Sequence, residues 1–151
     1  MRWKATVERY DGQILNLTGD VLLSAACISY YGAFTGVYRA EMISWWLETC
    51  RAKKIPSSAD YSLQQTLGDA VQVRDWQING LPTDTVSTDN AILVTRGKRW
   101  PLMIDPQEQA KKWIKNMEAR QKLAITRLTN PNMLRTLESC IRIGQPLLIE
   151  D

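Results

Sequence analysis

The sequence predicts an α/β chain in which N-terminal helices precede part of a parallel sheet with flanking helices. Three observations carry that reading. Trp3, Val7, Tyr10, Ile14 and Leu17 recur at alternating intervals of four and three, the spacing of an apolar helix seam. Short apolar runs at 100–104, 123–128 and 146–149 alternate with amphipathic stretches at 107–121 and 130–144. Strand, helix, strand, helix, strand with short links implies right-handed crossovers and parallel pairing.

Composition narrows the chemistry. With 44% hydrophobic and 23% charged residues, the 151-residue chain is an ordinary globular one rather than a disordered one. A net charge of +3 is too small to imply nucleic acid, and the clusters at 51–54 and 96–99 read as solvated turns. There is no histidine, which removes the commonest general base, Ser-His and Cys-His nucleophiles, and the usual zinc and haem ligands. Cys27, Cys50 and Cys140 are odd in number and widely spaced, so they read as small buried residues of a reducing compartment. The apolar stretch Val21–Phe34 is too short for a bilayer and no signal peptide precedes it, so an intracellular location is expected.

The elements follow in order. The seam helix spans residues 3–17 and reads either as a coiled-coil strand or as an amphipathic helix on a globular core. Thr18-Gly19 should break it and Asp20 should cap a second, buried helix that Gly32 ends. A third helix is expected over 35–52, with Lys53 and Lys54 suited to its C-terminal dipole. Ile55-Pro56-Ser57-Ser58 reads as a linker, which divides the chain into 1–54 and 55–151.

Ser62 with Gln65 signals a capped short helix, and a second one holds Val71, Val73, Trp76 and Ile78 before Asn79-Gly80-Leu81-Pro82 stops it. Residues 83–90 are expected as polar loop and 91–95 as a strand. Beyond them lie the strand 100–104, a helix over 107–121 with Ala110, Trp113, Ile114 and Met117 on one face, and the strand 123–128. Asn130 should cap a helix with Pro131 in its first turn. That helix carries Met133, Leu134, Leu137 and Ile141, ends at Gly144 and leads to the strand 146–149. With only two crossover helices as cover, that strand leads us to expect poor solubility.

Ligands of such sheets bind where strands end, foremost at the turn after the first strand. Here that turn is Asp105-Pro106-Gln107-Glu108-Gln109-Ala110-Lys111-Lys112. Set against Gly-x-x-x-x-Gly-Lys-Ser/Thr, it has Asp105 and Ala110 at the glycine positions and Lys112 at the Mg²⁺ hydroxyl position. Only Lys111 is retained. A side chain forced into the left-handed region costs roughly 1–2 kcal/mol. Asp105 and Glu108 each repel a phosphate charge about 5 Å away by roughly 3 kcal/mol. Glu108 and Lys112, at i and i+4, can pair on the helix surface. At the far end Leu147-Leu148-Ile149 is followed by Glu150-Asp151, a Walker B-like pair in reversed order.

The run from Arg99-Trp100-Pro101-Leu102-Met103-Ile104-Asp105-Pro106-Gln107 to Lys112-Trp113-Ile114-Lys115-Asn116-Met117-Glu118 resembles the fifth AAA+ module of dynein heavy chains, the axonemal ones above all. Gly80-Leu81-Pro82-Thr83-Asp84, with Ser87 and Asn90, is similar to the loop entering that module. Gly19-Asp20-Val21-Leu22-Leu23-Ser24-Ala25-Ala26, Ser29-Tyr30 and Tyr38-Arg39 are similar to the segment joining the returning stalk helix to it. The resemblance covers nearly the whole chain. It implies that residues 1–54 are the stalk base and its connecting helices, with Trp3, Val7, Tyr10, Ile14 and Leu17 the seam of an antiparallel coiled coil. Residues 55–151 would be the N-terminal half of a degenerate AAA+ module that is structural and carries no catalytic residue. No cofactor is expected here, ATP and Mg²⁺ being bound elsewhere in the family. The implied partners are the rest of a heavy chain, the antiparallel stalk helix and, indirectly, the microtubule of a cilium or flagellum, with neither membrane nor nucleic acid. Two rival readings are a nucleotide-binding protein whose unorthodox loop uses Lys111 and the Gln109 region, and a stand-alone module that docks a partner helix through residues 1–17 and 35–54.

Overall fold

The computed structural model describes residues 2–150, and they fold as two compact units. One comprises Met1–Val73 and Thr83–Leu102, the other Arg74–Pro82 and Met103–Asp151. The units therefore part inside one helix and at 82/83 and 102/103.

In the first unit, α1 (Arg2–Tyr30) is followed by a 3-10 turn (Tyr31–Ala33), α2 (Gly36–Ala52), α3 (Leu63–Leu67), the start of α4 (Ala70–Ile78) and α5 (Thr85–Arg96). The break expected at Thr18-Gly19 does not occur, and α1 runs straight through it. Glycine inside a helix costs about 1 kcal/mol relative to alanine, but here it permits a close approach. The Gly19 N–H lies 2.9 Å from the Pro56 carbonyl oxygen, and a Cβ at residue 19 would stand 2.2 Å from that oxygen. Asp20 caps no helix. Its carboxylate accepts from the Ser58 N–H at 2.8 Å and the Ser58 hydroxyl at 2.6 Å.

Continuity also gives α1 a Thr6–Ala33 stretch long and apolar enough, by length and composition alone, to cross a membrane. The shorter run at 21–34 had led us to expect otherwise. Within this unit one stripe of the stretch is covered by protein: Leu23, Ser24, Cys27 and Tyr31 are all buried.

Ser62 accepts from the Gln65 N–H and starts α3 as expected. The segment expected as loop and strand, 83–95, is instead the helix α5. Asp84 caps it by accepting from the Ser87 N–H at 2.9 Å. Its buried face is Thr88, Ala91 and Ile92, with Thr95 bonded to the Ala91 carbonyl. That spacing of three and four is helical and outweighs the β-propensity of Ile92, Val94 and Thr95. The run Trp100–Ile104 is not a strand. Trp100, Leu102 and Ile104 are 83%, 92% and 92% exposed, and a strand exists only where a neighbour takes its hydrogen bonds.

The second unit holds the end of α4, α6 (Gln109–Met117), a 3-10 turn (Ala119–Gln121), β1 (Ala124–Arg127), α7 (Met133–Ile143) and β2 (Leu147–Glu150). The last three form the expected crossover. β1 and β2 pair in parallel from Ala124 opposite Leu147 to Arg127 opposite Glu150. The described sheet has two strands rather than three. α6 is shorter at both ends than the expected 107–121. Asn130 caps a turn ahead of α7, accepting from the Asn132 N–H, and Gly144 ends that helix in the left-handed region at φ 71°.

Trp76 and Trp113, each under 4% exposed, meet edge to face with centroids 6.1 Å apart. Ile114, Leu81 and Cys140 are also buried. Of the expected α7 face only part is covered, with Leu134 and Ile141 exposed.

Trp113→Ala should lower unfolding free energy by about 3–5 kcal/mol, whereas the exposed Trp100→Ala should change it by no more than about 0.5 kcal/mol. Urea denaturation followed by circular dichroism compares the two.

Candidate functional site

The turn after residue 104 is organised by one side chain. Asp105 accepts from the Glu108 N–H through its backbone carbonyl at 3.1 Å. Its carboxylate accepts from the Gln109 N–H at 3.0 Å and the Lys111 N–H at 2.9 Å. These are the first-turn donors of α6, the groups that a helix N-terminus offers to an anion. Here the anion is part of the chain.

The left-handed residue of the turn is Glu108, at φ 56° and ψ 22°, not Asp105 or Ala110, the positions aligned with the glycines. The cost of the missing glycines is thus moved along the loop. Glu108 also pairs differently from the expected i,i+4 bridge to Lys112. Its carboxylate meets the Lys111 ammonium at 2.7 Å, while Lys112 contributes its N–H to the Glu108 carbonyl.

β2 delivers Glu150 to the same helix. One carboxylate oxygen is 2.5 Å from the Lys115 ammonium and the other 3.9 Å from that of Lys111. The two halves of the expected site, the loop 105–112 and the acid after the last strand, are therefore brought together. Asp151, the other half of the reversed acidic pair, lies outside the described residues. The hydrogen bond that the Lys111 ammonium donates to the Glu108 carboxylate raises the Lys111 pKa. The hydrogen bond from Lys115, followed by the nearby positive charges, holds the Glu150 carboxyl below its ordinary value.

Lys115 was not anticipated. Its spacing from Lys111, one helical turn, was the available signal, but β2 had to be placed beside α6 before it meant anything. By residue type alone Asp105 reads as a charge that repels phosphate. An Asp four residues ahead of a helix could have been read as its cap.

In the first unit the seam residues lie on α1 with Trp3 85%, Ile14 68% and Val7 55% exposed, and Tyr10 and Leu17 each 52%. Beside it is a polar chain that the sequence did not announce: the Ser24 hydroxyl is 2.9 Å from the Tyr61 hydroxyl, which is 3.7 Å from Cys27 Sγ. Burial raises the Cys27, Tyr31 and Tyr61 pKa values, so these groups stay protonated. An open cavity of about 480 Å³ is lined by Tyr31, Arg39, Gln64, Val86 and Asp89 among others. No cluster of His, Cys, Asp or Glu among the described residues could hold a metal.

A protein-family profile described as the ATP-binding dynein motor region matches residues 74–151. Another, described as the microtubule-binding stalk of the dynein motor, matches residues 1–49. The chain is 48% identical over 151 residues to dynein axonemal heavy chain 6 of Homo sapiens, covering 100% of this chain and 4% of that one. It is 49% identical over 150 residues to dynein axonemal heavy chain 3 of Mus musculus, covering 99% and 4%. Against the Dynein-1-beta heavy chain, flagellar inner arm I1 complex, of Chlamydomonas reinhardtii the identity is 46% over 153 residues, covering 100% and 3%. The chain thus spans a few per cent of the length of these relatives.

The Glu150 pKa has a sign that fixes a pH dependence. A carboxyl lowered on folding stabilises above its unfolded pKa, 4.5, and that contribution is lost as pH falls through the lower folded value. The stability difference between wild type and Glu150→Gln should therefore be full near neutrality and shrink progressively once pH drops below 4.5. Denaturant titrations at a series of pH values measure it.

Proposed function

This chain belongs to the dynein heavy chain family, and on that premise we propose that it is a structural, non-hydrolysing part of a microtubule-based motor of cilia and flagella. Its second unit serves as a degenerate AAA+ module. Together with the stalk-base helix α1 it relays conformational change between an ATPase ring and the stalk. ATP is bound with Mg²⁺ and hydrolysed in other modules.

The carrying observation is the Asp105 carboxylate on the Gln109 and Lys111 N–H groups. A polyphosphate would have to displace that tethered anion and take Lys111 from Glu108. A tethered carboxylate competes at a high effective concentration with no association entropy to lose. Lys112 supplies no Mg²⁺ ligand. The reading in which Lys111 and the Gln109 region hold a triphosphate is disfavoured by the same contacts.

The partners that suit this role are the remainder of a heavy chain and an antiparallel stalk helix lying along the α1 seam, with the microtubule reached through the stalk. The stalk profile over residues 1–49 supports that assignment of α1. The names of the relatives support an axonemal location. Neither a membrane nor a nucleic acid has a part in the reading.

Two outcomes are expected. Calorimetric titration of the chain with Mg-ATP should show no binding, and a micromolar dissociation constant would overturn the reading that Asp105 and Glu108 keep nucleotide out of the loop. Adding an antiparallel stalk strand in trans should raise helicity by circular dichroism above the sum of the separate spectra. A purely additive spectrum removes the coiled-coil assignment of the seam.

A further inference from the structure

We propose that Asp20, with Gly19 and Ser58, is a positioning residue that sets the direction in which the apolar seam of α1 faces. The first unit grips α1 along one stripe. Gly19 lies against Pro56, Asp20 holds the Ser58 N–H and hydroxyl, Ser24 meets Tyr61, and Leu23, Cys27 and Tyr31 are buried. At 3.6 residues per turn, residues 20, 24, 27 and 31 lie on one side of the helix.

The seam is a different stripe. Trp3, Val7, Tyr10, Ile14 and Leu17 are continued at the same heptad spacing by Val21 and Ile28, which are 51% and 37% exposed. At 100° per residue it lies about 90° around the axis from residues 20, 24, 27 and 31, and its four-three alternation runs on into Ser24 and Tyr31. One helix therefore carries two adjoining stripes, and whatever fixes the first fixes the azimuth of the second.

Apolar contacts alone would fix it poorly, because they are non-directional. The Asp20 contacts are directional. Both carboxylate oxygens are engaged by one residue, Ser58, through two charge-assisted hydrogen bonds. Asp20 is 9% exposed, so water does not compete freely for it. The absent side chain of Gly19 lets the Pro56 carbonyl come close enough to prevent the helix rolling. Trp3 lies about 24 Å along the axis from Gly19 at 1.5 Å per residue, so a small tilt at the clamp becomes a large displacement there, while a roll turns the whole seam by the same angle. The clamp itself is independent of the stalk assignment. Only its use in presenting the seam to a partner helix rests on the proposed function.

The test uses the whole 151-residue chain with spin labels at Gln13→Cys and Glu41→Cys. Both positions are exposed and lie in the first unit, while native Cys27, Cys50 and Cys140 are buried. The parent should show one narrow inter-label distance distribution. Asp20→Ala combined with Ser58→Ala should broaden it while amide protection across α2 is retained. In Asp20→Ala alone, exchange of the Ser58 amide should accelerate about tenfold or more. Ser58→Thr keeps both donors and should restore the narrow distribution. Should Asp20→Ala lose the fold, Asp20→Asn, which keeps one acceptor oxygen for Ser58, is read by the same criteria. An unchanged distribution in the clamp variants overturns the proposal, and so does equal broadening in Ser58→Thr. A seam that captures no helix in trans would leave this result intact, so the clamp and the stalk assignment can fail separately.

Discussion

A carboxylate drawn partly out of water must be met by donors, and backbone N–H groups left over by the secondary structure are the nearest ones. Each unit depends on one such arrangement. In the first, Asp20 collects the Ser58 amide and hydroxyl and thereby holds the 56–61 segment against α1. In the second, Asp105 collects two amides of the first turn of α6 and determines the shape of the loop before it. An apolar residue of like size would leave two donors unpaired in each case, the Ser58 N–H and hydroxyl or the Gln109 and Lys111 N–H groups, each costing about 1–3 kcal/mol if shielded from water.

The charges around α6 form a closed set. Lys111 faces Glu108 and Glu150, and Lys115 faces Glu150. A cation of a functional phosphate loop has to remain available for its ligand. This one is engaged from both sides, by an acid of its own turn and by an acid at the end of β2. The departures from the phosphate-loop pattern are therefore mutually consistent. Asp105 provides the internal anion, Glu108 absorbs the left-handed conformation, and Glu150 at the end of β2 ties strand to helix.

The first unit divides its labour along α1. The C-terminal half, from Gly19 to Tyr31, is anchored by small and polar residues that permit close approach. The preceding residues carry large apolar side chains into solvent. Exposed apolar area at that spacing is what the proposed coiled-coil role of α1 requires.

Much of this was legible in the residues themselves. The crossover β1–α7–β2 followed from the alternation of short apolar runs with helical periodicity, the start of α3 from Ser62 and Gln65, and the stop of α7 from Gly144. The departures of 105–112 from a phosphate loop were equally plain, because each is a matter of residue type at a fixed spacing. What tertiary structure decided was every case in which a residue's partner lies far along the chain. Gly19-Asp20 reads locally as a helix break and is a docking point, because Pro56 and Ser58 come to it from 37 and 38 residues away. Residues 91–95 have the β-branched composition of a strand, yet one helical face, Thr88, Ala91 and Ile92, is buried and α5 results. Trp100–Ile104 has the composition of a strand and pairs with no strand among the described residues. Glu150 became the counter-ion of Lys115 only once β2 was laid beside α6. Local pattern settles which conformations a segment can adopt. Long-range burial and hydrogen bonding settle which one it keeps, because their energies exceed the differences in intrinsic propensity.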